Sequence, residues 1–383
     1  MLMRYDVALG AVSIDKEDTP KPREEGVESV ITSHSIEGVI LPVEATDDRR
    51  MNEVLAKYEF ICIGSATVDQ FAKTDSELIK IQTRTTTEEL IAFPLGSKLL
   101  ISELNITTGG GGTNSAVALA RLGFKTAFLG KLGEDANAKF VMQALSSENV
   151  GFIGGCEGQT GVSMILDSIA DDRTILAFKG ANNNLMPQDI NPFETQWVYL
   201  SSMLEQSFDT VVELLQTQRC KVAFNPSNYQ AEMGYEALSA LIDQVDVLIM
   251  NKEEASIFLG LRYDEQPETR ALMKEMAKLP PSVFVITDGA RGVMVYDRKY
   301  CYTGEPMDVI NITETTGAGD AFASTFAAAQ YIGLSPDQAI HMAMTNAESV
   351  IQHSGAKEKL LDRQTLEGVM RLRNRRISKT ILN

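Results

Sequence analysis

From Phe60 onward, short apolar runs alternate with amphipathic segments of about ten to fifteen residues, a pattern that few folds accommodate. The apolar runs predict strands over residues 60–63, 126–129, 197–200, 222–224, 247–250 and 283–286. The amphipathic segments predict helices, among them 136–146, 208–216 and 271–279. Strands that alternate with helices pair in parallel, and the helices cover both faces of the sheet. The chain is therefore predicted to be an α/β protein of three layers with a mainly parallel central sheet.

Two regions interrupt this alternation. Residues 70–105 and 161–181 are rich in Thr, Ile and Leu and lack the helical spacing. We expect antiparallel strands in both, forming a small sheet beside the main one that acts as a lid.

A second feature is a short glycine motif that precedes an alanine-rich helix pattern. Gly317 and Gly319 flank Ala318, so backbone N–H groups can converge on an anion at the helix start, where the helix dipole also favours negative charge. Asp320 follows directly and can accept the proton of an incoming hydroxyl group. An Asp at a helix start is more often a simple cap. Because Asp320 directly follows the Gly-Ala-Gly motif, we favour a role for it in phosphoryl transfer to an alcohol.

An earlier glycine run, Gly109 to Gly112, is followed by Thr113 and Asn114 and by a helix pattern over 115–122. Taken alone, four glycines are typical of a flexible loop. Their position before a helix also lets the backbone approach a ligand closely, and Asn114 offers both a donor and an acceptor. Such contacts suit a polyhydroxy substrate.

Together the two motifs resemble both signatures of the ribokinase (PfkB) family. The matching residues are Gly109-Gly110-x-Gly-x-Asn114 with Arg121-Leu122-Gly123, and Thr315-Thr316-Gly317-Ala318-Gly319-Asp320. The resemblance covers residues 58–371 and implies a ribokinase-like kinase domain there. Residues 1–57 are then an N-terminal extension, either poorly structured or a small appendage. The basic tail over 372–383 is predicted to be a solvated helix end.

For the catalytic step, the resemblance implies that Asp320 is the base for the substrate hydroxyl. The amides of Gly317, Ala318 and Gly319 correspond to the anion hole for the transferred phosphoryl group.

For the nucleotide and its metal, the family's N-x-x-E element matches Asn251 and Glu254, with Glu254 acting on Mg²⁺ through water. The same two residues also fit a helix N-cap, and both roles can coexist. Thr287 and Gly289 match positions near the nucleotide phosphates and ribose. Asn346 resembles a residue near the adenine.

For the acceptor, Asp69 matches a carboxylate that binds sugar hydroxyls, and Gly109, Gly110, Asn114 and Glu205 match substrate contacts. Three positions depart from the ribokinase pattern. Thr67 stands where ribokinases have Asn, and Gly111 where they have Lys, so ribose specificity is not implied. Glu314 replaces the Asp that helps to bind a monovalent cation, which leaves K⁺ activation as a candidate property.

The resemblance implies an ATP-dependent phosphotransferase that acts on a hydroxymethyl group of a sugar or a similar small polyol. A nucleoside kinase is the alternative if Phe71, Phe93 or Tyr229 lines the acceptor pocket. A noncatalytic regulator with the same fold is a third reading, and the intact Asp320 counts against it. A phosphosugar kinase is less favoured, because no set of Lys and Arg lies near the first glycine run.

The net charge of -17 argues against nucleic acid and acidic membranes as partners. No uninterrupted apolar stretch reaches the length of a membrane span, and the first ten residues lack a signal-peptide pattern, so we expect a cytoplasmic protein. An unpaired lid edge favours pairing between subunits, and we expect a homodimer formed through the lid strands.

Overall fold

The computed structural model describes residues 55–74, 78–82, 87–91, 95–96, 98–167, 173–261, 267–307, 312–353 and 355–382. Of the predicted extension over 1–57, only the last residues are among these, and Ala56 already begins the first strand. Phe93 also lies outside the described residues.

The core of the described chain is a ten-stranded sheet in the order β18-β17-β16-β15-β14-β13-β12-β1-β6-β8. Its parallel strands are β1 (Ala56–Ile63), β6 (Thr126–Leu129), β8 (Gly151–Phe152), β12 (Phe193–Ser201), β13 (Lys221–Asn225), β14 (Val247–Asn251) and β15 (Val283–Thr287). Each of the six predicted strands lies within one of them. Strands β16 (Val293–Tyr296), β17 (Cys301–Gly304) and β18 (Ile377–Thr380) extend the sheet in antiparallel fashion.

Helices cover both faces of this sheet. On one face are α1 (Gly111–Arg121), α2 (Ala136–Ser147), α8 (Ala318–Tyr331), α9 (Pro336–Val350) and α10 (Arg363–Leu372). On the other are α3 (Glu205–Thr217), α4 (Asn228–Ala231), α5 (Gly234–Ile242), α6 (Lys252–Phe258) and α7 (Thr269–Met276). Successive residues of a strand point to opposite faces, so Phe60 packs in one apolar core and Ile61 in the other. The predicted three-layer α/β fold is confirmed.

The lid is a four-stranded sheet in the order β11-β10-β2-β5. Its strands are β2 (Thr67–Thr74), β5 (Ile101–Gly109), β10 (Gly161–Asp167) and β11 (Arg173–Phe178). A hairpin of β3 (Leu78–Gln82) and β4 (Thr87–Ile91), and a short pair of β7 (Lys131–Leu132) and β9 (Gly155–Cys156), complete the strands. Within each of the two predicted regions the strands pair in antiparallel fashion, as expected, and the regions are joined by the parallel pair of β2 and β10. Strand β2 follows central strand β1 directly, whereas β10 follows the short strand β9.

The two faces of the lid differ in character. Met164 lies beside Gln70 and Leu176, whereas Asp69 lies beside Ser163 and Thr107. Since side chains alternate along a strand, Asp69 points to the opposite face from Met164. The face away from Asp69, here called the outer lid face, carries five exposed apolar side chains: Leu104, Ile106, Met164, Leu176 and Phe178.

The basic C-terminal segment is built into the fold, which corrects the expectation of a solvated helix end over 372–383. Strand β18 pairs with β17 and covers an edge of the sheet that would otherwise be open. Before it, Arg375 donates to both carboxylate oxygens of Glu348, at 2.7 and 2.6 Å, and the two side chains are only 1% and 8% exposed. None of the helices in the described ranges is both long and apolar enough to cross a membrane.

Candidate active site

A cavity of about 340 Å³ opens at the carboxyl ends of the parallel strands. This is the edge at which open α/β sheets bind their ligands. Its walls come from the segments after β1, β12, β13, β14 and β15 and from the first turns of α1 and α8. Among the predicted site residues, the lining includes Gly317, Gly319, Asp320, Asn251, Glu254 and Thr287.

The first turn of α8 presents backbone to this cavity. Gly317 caps the helix with φ +79°, and a Cβ there would lie 2.5 Å from the Cβ of Ala356. Both constraints require glycine. At Gly319 a Cβ would meet open space, so this glycine faces the cavity. The N–H of Ala318 donates to the carbonyl of Thr315 at 3.2 Å. The predicted contribution of Ala318 to an anion hole is therefore replaced by a turn hydrogen bond, and Gly317 and Gly319 line the cavity without it.

Asp320 lies in the same turn, and one of its carboxylate oxygens accepts a hydrogen bond from Nδ2 of Asn114 at 2.8 Å. Burial raises the pKa of Asp320 above its ordinary value. The Asn114 bond and the charge of Lys357 act against this rise, and the nearby carboxylate of Asp69 adds to it. A carboxylate with a raised pKa is a stronger base at neutral pH.

The glycine run before α1 is tightly packed. Helix α1 begins at Gly111, so two of the glycines form its first turn. A Cβ on Gly109 would lie 1.8 Å from Oδ2 of Asp69, and one on Gly110, where φ is +95°, would lie 2.4 Å from the carbonyl oxygen of Ser65. These glycines pack their backbone against the carboxylate of Asp69 and the carbonyl of Ser65, so they do not form a flexible loop.

Asp69 and Asn114 form a polar corner beside Asp320. Asp69 is 8% exposed, and its Oδ1 accepts a hydrogen bond from Oγ1 of Thr67 at 2.7 Å. The Thr at position 67 thus orients the carboxylate. In the part of the chain that the structure describes, the buried Oδ1 of Asn114 has no donor. An acceptor oxygen without a donor at this corner suits a ligand hydroxyl group.

Lys357 belongs to this corner, although no sequence pattern pointed to it. It lies in the segment after α9, and its Nζ donates to the carbonyl and the hydroxyl of Thr108 and to the hydroxyl of Thr113, all at 3.0–3.1 Å. Burial lowers the pKa of Lys357 to about 8, while Asp69 and Asp320 act to raise it. The ammonium group thereby joins the end of lid strand β5 to α1 and balances the two carboxylates.

Asn251 and Glu254 make a reciprocal cap at the start of α6. Oδ1 of Asn251 accepts from the N–H of Glu254, and Oε2 of Glu254 accepts from the N–H of Asn251, both at 2.8 Å. Burial, with help from the charges of Asp320 and Glu253, raises the pKa of Glu254 to about 7, against the effect of the Asn251 N–H. Asn251 and Glu254 therefore cap helix α6, and both residues also line the cavity.

The acidic residue fits a hydrated Mg²⁺. The described residues contain no cluster of three or more Asp, Glu, His or Cys side chains that could enclose a metal ion. Mg²⁺ is commonly held by one or two carboxylates together with water and phosphate oxygens, so Glu254 at the cavity wall is a suitable ligand.

Two further predicted residues, Asn346 and Glu205, lie away from the cavity lining. Asn346 is fully buried between helices, where its amide donates to Oγ1 of Thr325 and accepts from the N–H of Leu361. This corrects its assignment to the adenine, because both ends of the amide are used within the protein. Glu205 begins α3 with an exposed side chain and φ +52°, while the preceding Met203 and Leu204 line the cavity in its place.

Two others lie close to the site without lining it. Glu314 is buried and accepts from the N–H of Gly355 at 3.0 Å, which ties down the segment that carries Lys357. Gly289 follows the cavity residue Thr287 and opens a short 3-10 turn with φ +51°.

A glycine-rich helix start that lines a cavity, a buried carboxylate in its first turn and a polar corner beside that carboxylate are the arrangement expected of a phosphotransferase on a three-layer α/β fold. The profile of the pfkB family carbohydrate kinases matches residues 61–363. The chain therefore belongs to the pfkB family of carbohydrate kinases and is a phosphotransferase.

Individual relatives agree with this assignment. The chain is 29% identical to the ribokinase of Haemophilus influenzae over 283 residues, which is 71% of this chain and 90% of that protein. The ribokinase of Arabidopsis thaliana, solved with ribose and ATP, has a similar fold, with a TM-score of 0.66 at 20% identity over 82% of this chain and 98% of its own. The adenosine kinase of Sinorhizobium meliloti also has this fold, with a TM-score of 0.67 at 19% identity over 82% of this chain and 100% of its own.

The two glycines at the start of α8 should respond differently to an added methyl group. Gly317→Ala should lower the free energy of unfolding by about 3 kcal/mol, because its Cβ meets Ala356 and φ is positive. Gly319→Ala should leave stability nearly unchanged and weaken binding of tripolyphosphate by about tenfold, since its Cβ enters the cavity. Urea unfolding and titration calorimetry measure the two effects. Unchanged anion binding in Gly319→Ala would contradict the assignment.

Glu254 should make stability depend on pH. Its pKa rises from 4.5 in the unfolded chain to about 7 in the folded protein, so between these values the folded state holds a proton that the unfolded state has lost. Binding of this proton stabilises the folded state, and the stabilisation is lost as pH rises through 7. Glu254→Gln keeps an acceptor for the Asn251 N–H, and without divalent cations it should be roughly 1–3 kcal/mol more stable than wild type near pH 8.

In urea unfolding, this difference between Glu254→Gln and wild type should shrink as pH falls toward 4.5. A Gln variant that is less stable than wild type throughout this range would contradict the interpretation that burial of the Glu254 carboxylate destabilises its ionised form.

Proposed function

We propose that this protein is an ATP-dependent kinase that transfers the γ-phosphoryl group to a hydroxymethyl group of a sugar or a similar small polyol. The observation that carries the proposal is the position of Asp320, which is held by Asn114 in the first turn of α8, beside the cavity-lining Gly317 and Gly319. The base and the anion-binding backbone are thus parts of the same turn. The ribokinase relatives support ATP as the donor.

In the proposed reaction, the acceptor hydroxyl donates its proton to Asp320 while its oxygen attacks the γ-phosphorus. The bond between the γ-phosphorus and the bridging oxygen breaks, and ADP leaves with that electron pair. The raised pKa of Asp320 suits this proton transfer. Amides of Gly317 and Gly319 and the dipole of α8 stabilise negative charge on the transferred group.

The acceptor is held at the polar corner. Asp69 accepts hydroxyl protons, and Oδ1 of Asn114 receives one further hydroxyl donor. The backbone of Gly109 and Gly110 allows the sugar ring to approach closely. The charge of Lys357 favours the ionised form of Asp320.

The nucleotide phosphates lie toward Asn251, Glu254 and Thr287, which line the cavity on the side of α6 and β15. When bound at Glu254 through water, Mg²⁺ would neutralise charge on the phosphates. A bound cation would also favour the ionised form of this carboxylate, whose pKa is otherwise about 7.

A nucleoside is the second candidate acceptor. The ring of Tyr229 lines the cavity, and Phe71 lies on the same lid face as Asp69, two residues further along β2. Aromatic rings at these places can stack on a base. The fold similarity to an adenosine kinase agrees with this alternative. Release of ADP across pentoses, hexoses and nucleosides, measured with and without K⁺, distinguishes the acceptors and tests the candidate effect of K⁺.

Replacing the base should remove turnover while leaving binding intact. Asp320→Asn should lower kcat by about 10²- to 10⁴-fold for every acceptor, because the amide cannot take the hydroxyl proton. Binding of ATP, followed by calorimetry, should change little. The matched control is Asp209→Asn on the exposed side of α3, which should behave as wild type. Wild-type turnover in Asp320→Asn would refute the mechanism.

We further propose a homodimer in which the outer lid faces of two subunits pack together. Exposed apolar patches of this kind mark interaction sites, and an isologous contact between two copies closes after one pairing. Leu176→Glu should therefore give a monomer in light scattering. Ile175→Glu, the adjacent residue on the opposite lid face and equally exposed, is the control and should leave the dimer intact. A monomeric wild type, or a dimer that survives Leu176→Glu, would reject this interface.

A further inference from the structure

Lys179 is the residue that follows lid strand β11, and its side chain lines the same cavity as Asp320 and Glu254. Within the described residues, it is the only Lys or Arg in that lining. The walls therefore carry two carboxylates and one ammonium group, in a protein whose net charge is -17. A cation at this place needs an explanation.

The ammonium group of Lys179 forms no ion pair with any carboxylate in the described part of the chain. It lies over the ring of Tyr229, 4.8 Å from the ring centroid. Burial lowers the pKa of Lys179, with no neighbouring charge acting against it. A desolvated ammonium group with only an aromatic face beside it is a strong attractor for an anion.

The backbone that carries Lys179 is fixed. Nδ2 of Asn182 donates to the carbonyls of Lys179 and Ala66, and Oδ1 of Asn182 accepts from the N–H of Ala66. A Cβ on the next residue, Gly180, would lie 2.4 Å from the carbonyl oxygen of Gln159, so the chain cannot carry a larger residue there without moving. The lysine is thereby anchored to the corner between β1 and β2, on the acceptor side.

Tyr229 belongs to α4, which follows central strand β13. The contact between Lys179 and Tyr229 therefore joins the base of the lid to a wall built on the central sheet. The ring holds the ammonium group at the cavity in the absence of an anion, at a modest energy that a charge-assisted hydrogen bond can exceed.

We propose that Lys179 is an anion-binding residue of this cavity, which engages a phosphate or carboxylate oxygen of one of the two reactants. The inference rests on the proposed kinase function and adds a contact to it. Two sources supply such an oxygen: the phosphates of the nucleotide, or an acidic group on the acceptor. The ammonium group of a lysine acts as a point charge on a flexible stem, so it can bind a phosphate or a carboxylate oxygen.

The test compares Lys179→Met with Lys179→Arg, which keeps the charge, and with Lys139→Met on the exposed side of α2. Binding of tripolyphosphate, ATP and gluconate is measured by calorimetry without turnover, after thermal unfolding has shown that each variant is folded. Lys179→Met should weaken at least one of these anions by about tenfold or more. Lys179→Arg should retain most of the affinity, and Lys139→Met should match wild type.

The pattern of losses distinguishes the sources. Weaker ATP and tripolyphosphate with unchanged gluconate assigns Lys179 to the nucleotide, whereas weaker gluconate alone assigns it to an acidic acceptor. The proposal is wrong if Lys179→Met binds all three anions as wild type does, or if wild type binds none of them. Because binding is measured without turnover, a fully active Asp320→Asn would refute the kinase mechanism and leave the anion site standing.

Discussion

The hydrogen bond from Asn114 to Asp320 joins the first turns of two helices that are far apart in the sequence. Helix α1 follows the lid strand β5, and helix α8 follows the long segment that leaves the central sheet. Each of these helix starts depends on a glycine that packs where a side chain would clash, Gly110 against the backbone of Ser65 and Gly317 against Ala356. This contact holds the polar corner, Asp320 and the glycine backbone at the start of α8 in one place.

The site concentrates charge in a protein that already has a large negative excess. Burial raises the pKa of both Asp320 and Glu254, since an ionised group loses hydration there. The charge of Lys357 acts against this rise at Asp320. On the side of α6, the raised pKa of Glu254 marks a carboxylate that still lacks its counter-charge. Kinase substrates bring phosphate groups together with a divalent cation, and that cation supplies a positive charge that the protein itself does not place beside Glu254.

Local sequence patterns predicted the parallel strands and the two glycine-rich helix starts, because short stretches of sequence determine both. The apolar runs gave the parallel strands, because a strand buried on both faces must be apolar throughout. The two glycine motifs pointed to Asn114 and Asp320, and the family resemblance pointed to Asp69. The structure places Asn114 against Asp320, with the carboxylate of Asp69 nearby. Lys357 was missed because its partners, Thr108 and Thr113, are distant in sequence and carry no signature. The buried Arg375 was missed for the same reason, because its partner Glu348 is also distant in sequence. Strand β18 was missed because four strand residues are too few to show alternation.

Only Gly110 separates the last residue of lid strand β5 from the first residue of α1. No linker is therefore available to absorb a change in the direction of the lid. The ammonium group of Lys357 clamps the same junction by binding Thr108 on one side and Thr113 on the other. Strand β5, helix α1 and Asn114 are therefore rigidly connected, so a displacement of β5 also displaces the hydrogen-bond partner of Asp320. In the proposed kinase, the size and shape of an acceptor under the lid would in this way set the alignment of Asp320.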